Sequence, residues 1–158
     1  HSLQQALACA RQGADWLALS QECDRQGHYG LALQAVQAHL ALAPASAVGL
    51  LQRARCHKAL GQSEAAADDC RRLLALGLEP ARAWFALVAL QAGELAQLAD
   101  AAARGQAPAA EQVLLDFALG GALEAAGRHA EALQALQRAN AGVRRSLPWD
   151  AEAFVRQR

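Results

Sequence analysis

Apolar and polar residues follow one another along this chain with a helical period, in blocks closed by Gly and Pro. In the stretch 14–44, ADWLALSQECDRQGHYGLALQAVQAHLALAP, apolar side chains recur three and four positions apart, pause at Gly27, resume and stop at Pro44. The stretch 48–80, VGLLQRARCHKALGQSEAAADDCRRLLALGLEP, repeats the plan. Gly27 and Gly61 stand 34 residues apart, as do Ala32 and Ala66, Trp16 and Leu50, and Val36 and Cys70. Each stretch therefore reads as a helix, a Gly turn and a second helix. Proline lacks the N–H that a helix interior needs, so Pro44 and Pro80 are read as the ends of units. A third copy, DFALGGALEAAGRHAEALQALQRAN, places Gly127, Ala132 and Leu136 at the same internal offsets. Ala32, Ala66 and Ala132 are predicted where paired helices cross closely, so that a larger side chain costs about 1–3 kcal/mol.

Composition turns this pattern into a fold class. Hydrophobic residues make up 54% of the 158, yet aromatics only 4%, so Leu and Ala must build the core. Ala, the strongest helix former, is about a quarter of the chain, and β-branched residues are sparse. The expectation is an all-α fold, long enough to bury a real core as one domain or a short repeat array.

The charge balance narrows the partners. Formal net charge is +0, which leaves no basic footprint for nucleic acid. The longest apolar stretch, 31–51, is interrupted by Gln34, Gln37, His39 and Pro44, so no membrane span is expected. The N-terminus does not have the layout of a signal peptide, and a chain that lacks Met and begins His-Ser reads as a piece of a longer protein. Cys9, Cys23, Cys56 and Cys70 form no Cys-x-x-Cys pair and have no His at zinc spacing. They read as buried thiols in a reducing compartment, which points to the cytoplasm.

Catalytic chemistry is not visible in the motifs. His28 and His129 fall in turns, His39 on a second helix, and His57 at a core position, without a nucleophile placed beside any of them. Gly120-Gly121 falls within a helix, and neither a Gly-x-Gly-x-x-Gly nor a phosphate-binding Gly-Lys-Ser/Thr loop occurs. Asp68 and Asp69 read as helix-surface charges. No catalytic residue, cofactor or metal is expected.

A 34-residue helix–turn–helix unit with Trp16, Leu19, Gly27, Tyr29, Ala32, Val36 and Pro44 resembles the tetratricopeptide repeat. The second unit keeps Gly61, Ala66 and Pro80 but has Leu50 for Trp and Arg53 at a usually apolar position. The last keeps Leu119, Gly120, Gly127, Ala132 and Leu136 but has Asp116 at the Trp position. The resemblance implies a right-handed α-solenoid of antiparallel helix hairpins, a TPR-like superhelix. Its expected organisation is a capping helix or the end of a preceding repeat at 1–12, and repeats at 13–46 and 47–80. A shortened, degenerate hairpin follows at 81–112, with Gly93 as its early turn, and a last repeat at 113–146. In the last repeat the chain is expected to leave the hairpin from Gly142, and 147–158 to form an extension with a short helix capped by Asp150, a linker to a missing domain.

In that family the first helix of each unit lines a concave groove that binds extended peptides or partner helices. By position this implies Leu17, Gln21, Asp24 and Arg25, then Leu51, Gln52, Arg55 and Lys58, then Arg82 and Phe85. Arg55, Lys58 and Arg82 would make one side modestly basic, suiting an acidic or carboxylate-bearing protein or peptide. The Lys/Asn clamp of chaperone-tail-binding members is not reproduced, because no groove position carries Asn.

The stretch 95–154 also resembles the final repeat and exit segment of bacterial proteins that fuse tetratricopeptide repeats to a sulfotransferase domain. Phe117, Ala118, Leu119, Gly120, Gly127, Glu131, Ala132, Asn140, Arg144, Arg145, Trp149 and Asp150 carry that likeness, with Trp149 in place of the more usual Tyr. The Pro-Arg-Ser-Gly-Thr-like loop by which those enzymes hold their sulfonate donor does not occur. The resemblance thus implies a non-catalytic repeat region preceding a sulfotransferase-like domain. The alternative is a stand-alone adaptor or secretion-chaperone-type repeat protein unrelated to sulfotransfer. Arg138, Arg144 and Arg145 are expected either to dock a catalytic domain or anionic ligand, or to serve as cations at a helix C-terminus.

Overall fold

The computed structural model describes residues 13–87 and 92–147, so the expected capping helix at 1–12 and the expected exit helix after Leu147 lie outside the described residues. Every regular element among those described is an α-helix, as an Ala- and Leu-rich chain predicts. The chain divides into two compact units, His1–Val88 and Ala89–Arg158. In the first, α1 (Gly13–Arg25), α2 (Tyr29–Leu42), α3 (Ala47–Ala59), α4 (Ser63–Ala75) and α5 (Pro80–Ala86) each pack on the next, and α3 also touches both α1 and α5. In the second, α6 (Ala92–Arg104) packs on α7 (Ala109–Ala125), which pairs closely with α8 (His129–Ser146).

Three glycines turn the hairpins. Gly27, Gly61 and Gly127 have φ of 77°, 75° and 74°, a region that L side chains enter at a cost. The Gly27 N–H donates to the Asp24 carbonyl at 3.0 Å and the His28 N–H to the Cys23 carbonyl at 2.8 Å. This paired closure, the Schellman motif, recurs at Gly61 and at Gly127, and a fourth copy at Gly77 ends α4.

The paired helices meet at small residues. Ala32, Ala66 and Ala132 are all buried. A Cβ added to Gly120 of α7 would lie 2.6 Å from Leu136 of α8, too close for any real contact. Between successive hairpins the same device appears at Gly49 of α3, where a Cβ would meet His39 at 2.7 Å and Leu40 at 2.8 Å. Buried His39 ties this junction together: its Nδ1–H donates to the Gly13 carbonyl at 2.6 Å, and its Nε2 accepts from the Ser46 hydroxyl at 2.8 Å. The Ser46 oxygen in turn accepts from the Gly49 N–H and caps α3.

Val36, Leu40, Leu50, Leu73 and Ala83 form a core cluster that runs through α2, α3, α4 and α5. Cys23, Ala32 and Cys56 form a second. The other unit buries Leu98 of α6, Leu115, Leu119 and Leu123 of α7, and Ala132, Ala135 and Ala139 of α8.

Several expectations change. Pro80 does not close a unit; it is the first residue of α5, where its missing N–H is one of the four a helix start leaves unbonded anyway. Gly93 is not a turn but lies in the first part of α6. The chain does not leave the last hairpin at Gly142, because α8 runs on to Ser146. Asp69 is not a surface charge: it is 4% exposed, and its carboxylate accepts from Arg53 Nε at 2.9 Å.

That ion pair explains the departure at Arg53. In the repeat register Arg53 and Asp69 occupy the places of Leu19 and Ala35 in the first hairpin, and of Leu119 and Ala135 in the last. Asp116, at the Trp16 and Leu50 position, is likewise buried and accepts from Arg138 Nε of α8 at 3.1 Å. Each misplaced charge thus has its counterion on the second helix of its own hairpin.

Two predictions follow from this packing. Arg53→Leu strands Asp69 without a counterion and should destabilise the protein by about 3–5 kcal/mol. Adding Asp69→Ala, which restores the Leu/Ala pair of the other hairpins, should recover most of the loss in urea unfolding. A double variant no more stable than Arg53→Leu would refute the compensation.

The second concerns the thiols. Burial raises the pKa values of Cys23 and Cys56, and pushes that of Cys70 from 9.0 to about 11. Ellman's reagent should therefore react with none of these three until the protein unfolds. As pH rises the unfolded chain loses the Cys70 proton first, so this contribution to stability is complete below pH 9 and declines between 9 and about 11. Melting temperatures across that range should fall less steeply in Cys70→Ala, and an unchanged slope would overturn the assignment.

Candidate functional site

The groove residues expected from sequence lie on α1, α3 and α5 of the first unit. On α1, Leu17, Gln21, Asp24 and Arg25 sit at helical spacings of four, three and one, and so share a face. Leu51, Gln52, Arg55 and Lys58 do the same on α3, and Arg82 and Phe85 on α5. Leu17 and Leu51 are half-buried, Gln21 and Lys58 are exposed, and Phe85, three positions after Arg82 on α5, is 55% exposed.

Asp24 joins two of these helices. Its Oδ2 lies 2.7 Å from Arg55 Nε in an ion pair and accepts a hydrogen bond from Gln52 Nε2 at 3.2 Å, both on α3. Gln52 also reaches the Cys56 sulfur at 3.8 Å, which extends the network to the thiol core. Asp24 and Gln52 are buried, whereas the Arg55 side chain is 68% exposed. A buried carboxylate therefore fixes one edge of the guanidinium and leaves the remainder in solvent. The other carboxylate oxygen, Oδ1, is buried without a hydrogen-bond partner.

The basic character of the face is smaller than its residue types suggest. Arg25 pairs with Glu22, Arg55 with Asp24, and Arg82 with Glu79 at 3.6 Å. Lys58 makes no ion pair among the described residues. Asp24 and Arg55 each belong to the expected groove set, but their union crosses two hairpins and follows from no local motif.

The basic residues near the end of α8 divide in the same way. Arg138 is held by Asp116. Arg144 and Arg145 are exposed in the last turn of the helix, and neither makes an ion pair among the described residues.

No cluster of three or more His, Cys, Asp or Glu side chains among the described residues could hold a metal. His57 bonds to Gln62 at 2.6 Å, and His39 is committed to Gly13 and Ser46. No helix among the described residues is long and apolar enough to cross a membrane.

No protein-family model and no curated protein matches the chain. Among solved structures, the chain is similar to the TPR domain of Sgt2 from Aspergillus fumigatus, with a TM-score of 0.49 and 18% sequence identity over 89% of this chain and 88% of that one.

Proposed function

We propose that this chain is a non-catalytic, tetratricopeptide-type interaction scaffold, and that the α1–α3–α5 face receives an extended segment of a protein partner. The observation that supports this reading best is the Asp24–Gln52–Arg55 bridge. It joins two hairpins and fixes a largely exposed guanidinium in advance, which lowers the ordering cost of recognition. Arg55 and Lys58 stand one turn apart on α3 and offer donors to an acidic side chain or chain terminus. Half-buried Leu51 and exposed Phe85 supply apolar contact to the same segment.

A finer reading places these repeats ahead of a sulfotransferase-like domain in the cytoplasm. It is supported by the sequence resemblance over 95–154. Sequencing the gene beyond the Arg158 codon tests it: a donor-binding loop within some tens of codons supports it, and an immediate stop codon sinks it. The stand-alone adaptor reading would then take its place.

The groove itself is tested by calorimetry with acidic peptides carrying one aromatic residue. Arg55→Gln combined with Lys58→Gln should weaken binding roughly tenfold or more, the loss expected for a charge-assisted hydrogen bond. Glutamine is chosen because a carboxylate at position 55 would face buried Asp24 and confound binding with folding. Unchanged affinity in a variant that melts normally would remove the groove from consideration.

A further inference from the structure

The last hairpin is longer than the repeat register requires. Gly61 and Gly127 set that register, on which the start of α3 at Ala47 corresponds to Val113 and the end of α4 at Ala75 to Ala141. Yet α7 begins at Ala109 and α8 continues to Ser146. Each helix thus gains about one turn, at the end of the hairpin opposite Gly127. Gly142 keeps the two added turns close, since a Cβ there would stand 2.5 Å from Val113.

Between them lies a cleft of about 510 Å³. Ala109, Ala110 and Gln112 line it from the added turn of α7, and Gly142, Val143 and Arg145 from that of α8; the Asp116–Arg138 pair also lines it. The volume falls within the usual range for a ligand pocket, about 300–1,000 Å³. Its walls are mainly apolar and its charged edge is basic. From Arg138 to Ser146, α8 carries three arginines and no acid. Arg138 spends Nε on Asp116 but its side chain remains 54% exposed. At the opposite wall α7 starts without a side-chain cap, and Glu111 in its first turn offsets the positive field of the N–H groups there, so the basic character of the cleft rests on the arginines of α8. Gln112 donates to the Ala102 carbonyl at 2.9 Å while its Oε1 is buried without a partner, an acceptor held in the wall.

We propose that this cleft is a second docking site, and that it takes an extended acidic segment of a protein partner. An aromatic or aliphatic side chain of that segment packs on Val113 and Val143, and its carboxylates meet Arg138 and Arg145. Charge spacing favours a chain over a single small acid. Seven helical residues separate the two arginines, about 10 Å at the helical rise. Two acids three residues apart in an extended chain span about 10 Å as well.

The probe is the blocked peptide acetyl-Gly-Asp-Leu-Phe-Glu-Gly-amide, dye-labelled and followed by anisotropy. Its twin has Asn and Gln in place of the two acids. Saturable binding is expected, at least tenfold weaker for the twin and weakened by added salt. Arg145→Glu, at an exposed position, and Ala110→Phe, which fills the cleft, should each reduce affinity at least tenfold with unchanged thermal melting. All titrations are made in the Arg55→Gln/Lys58→Gln background, where the α1–α3–α5 face is weakened, so that binding lost with Arg145→Glu or Ala110→Phe belongs to the cleft. Absence of saturable binding, or affinity indifferent to both cleft variants, overturns the proposal. So does equal affinity for free 2-naphthoate, which would make this a small-molecule pocket. Self-association in sedimentation that Ala110→Phe abolishes would assign the cleft to a second copy of the chain, and equally overturns it.

Discussion

The structure depends on how closely short helices can approach one another. Helices of 13 or 14 residues are marginal in isolation even when rich in Ala, so their stability must come from the surface they bury. With aromatics at 4% of the chain, that surface cannot be supplied by large rings. It is supplied by proximity: Ala32, Ala66 and Ala132 within the hairpins, and Gly49 and Gly120 where even a methyl group has no room. The glycine turns follow from the same constraint. Each returns the chain in three residues while satisfying two carbonyls of the preceding helix, so the second helix starts already alongside the first.

This constraint is periodic, which is why it could be read in advance. Small residues and glycines recur at fixed offsets, and an Ala-rich chain has few other ways to bury itself, so the all-α class and the hairpin turns were legible without coordinates. The ends of helices were less so. Pro80 looked like a terminator because proline both stops a helix and starts one; the residues after it decide which. Gly142 looked like an exit because glycine lowers helix propensity by about 1 kcal/mol. Its contact with Val113, 29 positions earlier, overrides that local preference.

Charges inside the hairpins were the least legible feature. Arg53 and Asp116 each violate the apolar pattern when considered singly. Their counterions, Asp69 and Arg138, stand on the facing helix at 16 and 22 residues' separation. The two pairs do not even use the same register positions, so no fixed spacing could have found both. Periodicity describes what each position prefers by itself. An exchange of an apolar contact for an ion pair is a property of two positions together and becomes visible only when the helices are paired.

The same reasoning bears on where recognition can occur. A net charge of zero conceals an uneven distribution, because most cations of the first unit's face already have carboxylate neighbours. Pairing leaves Arg55 fixed rather than neutral in effect: its partner is buried, and its own outer edge still meets water. In the second unit one arginine is held by Asp116, while two more follow within the last turn of α8 without such partners among the described residues. Internal electrostatics therefore separate two kinds of basic residue, those that close the hairpins and those left to meet something else. In the added turns of α7 and α8 the second kind coincides with an apolar cleft, an association that close packing of the hairpins does not by itself require.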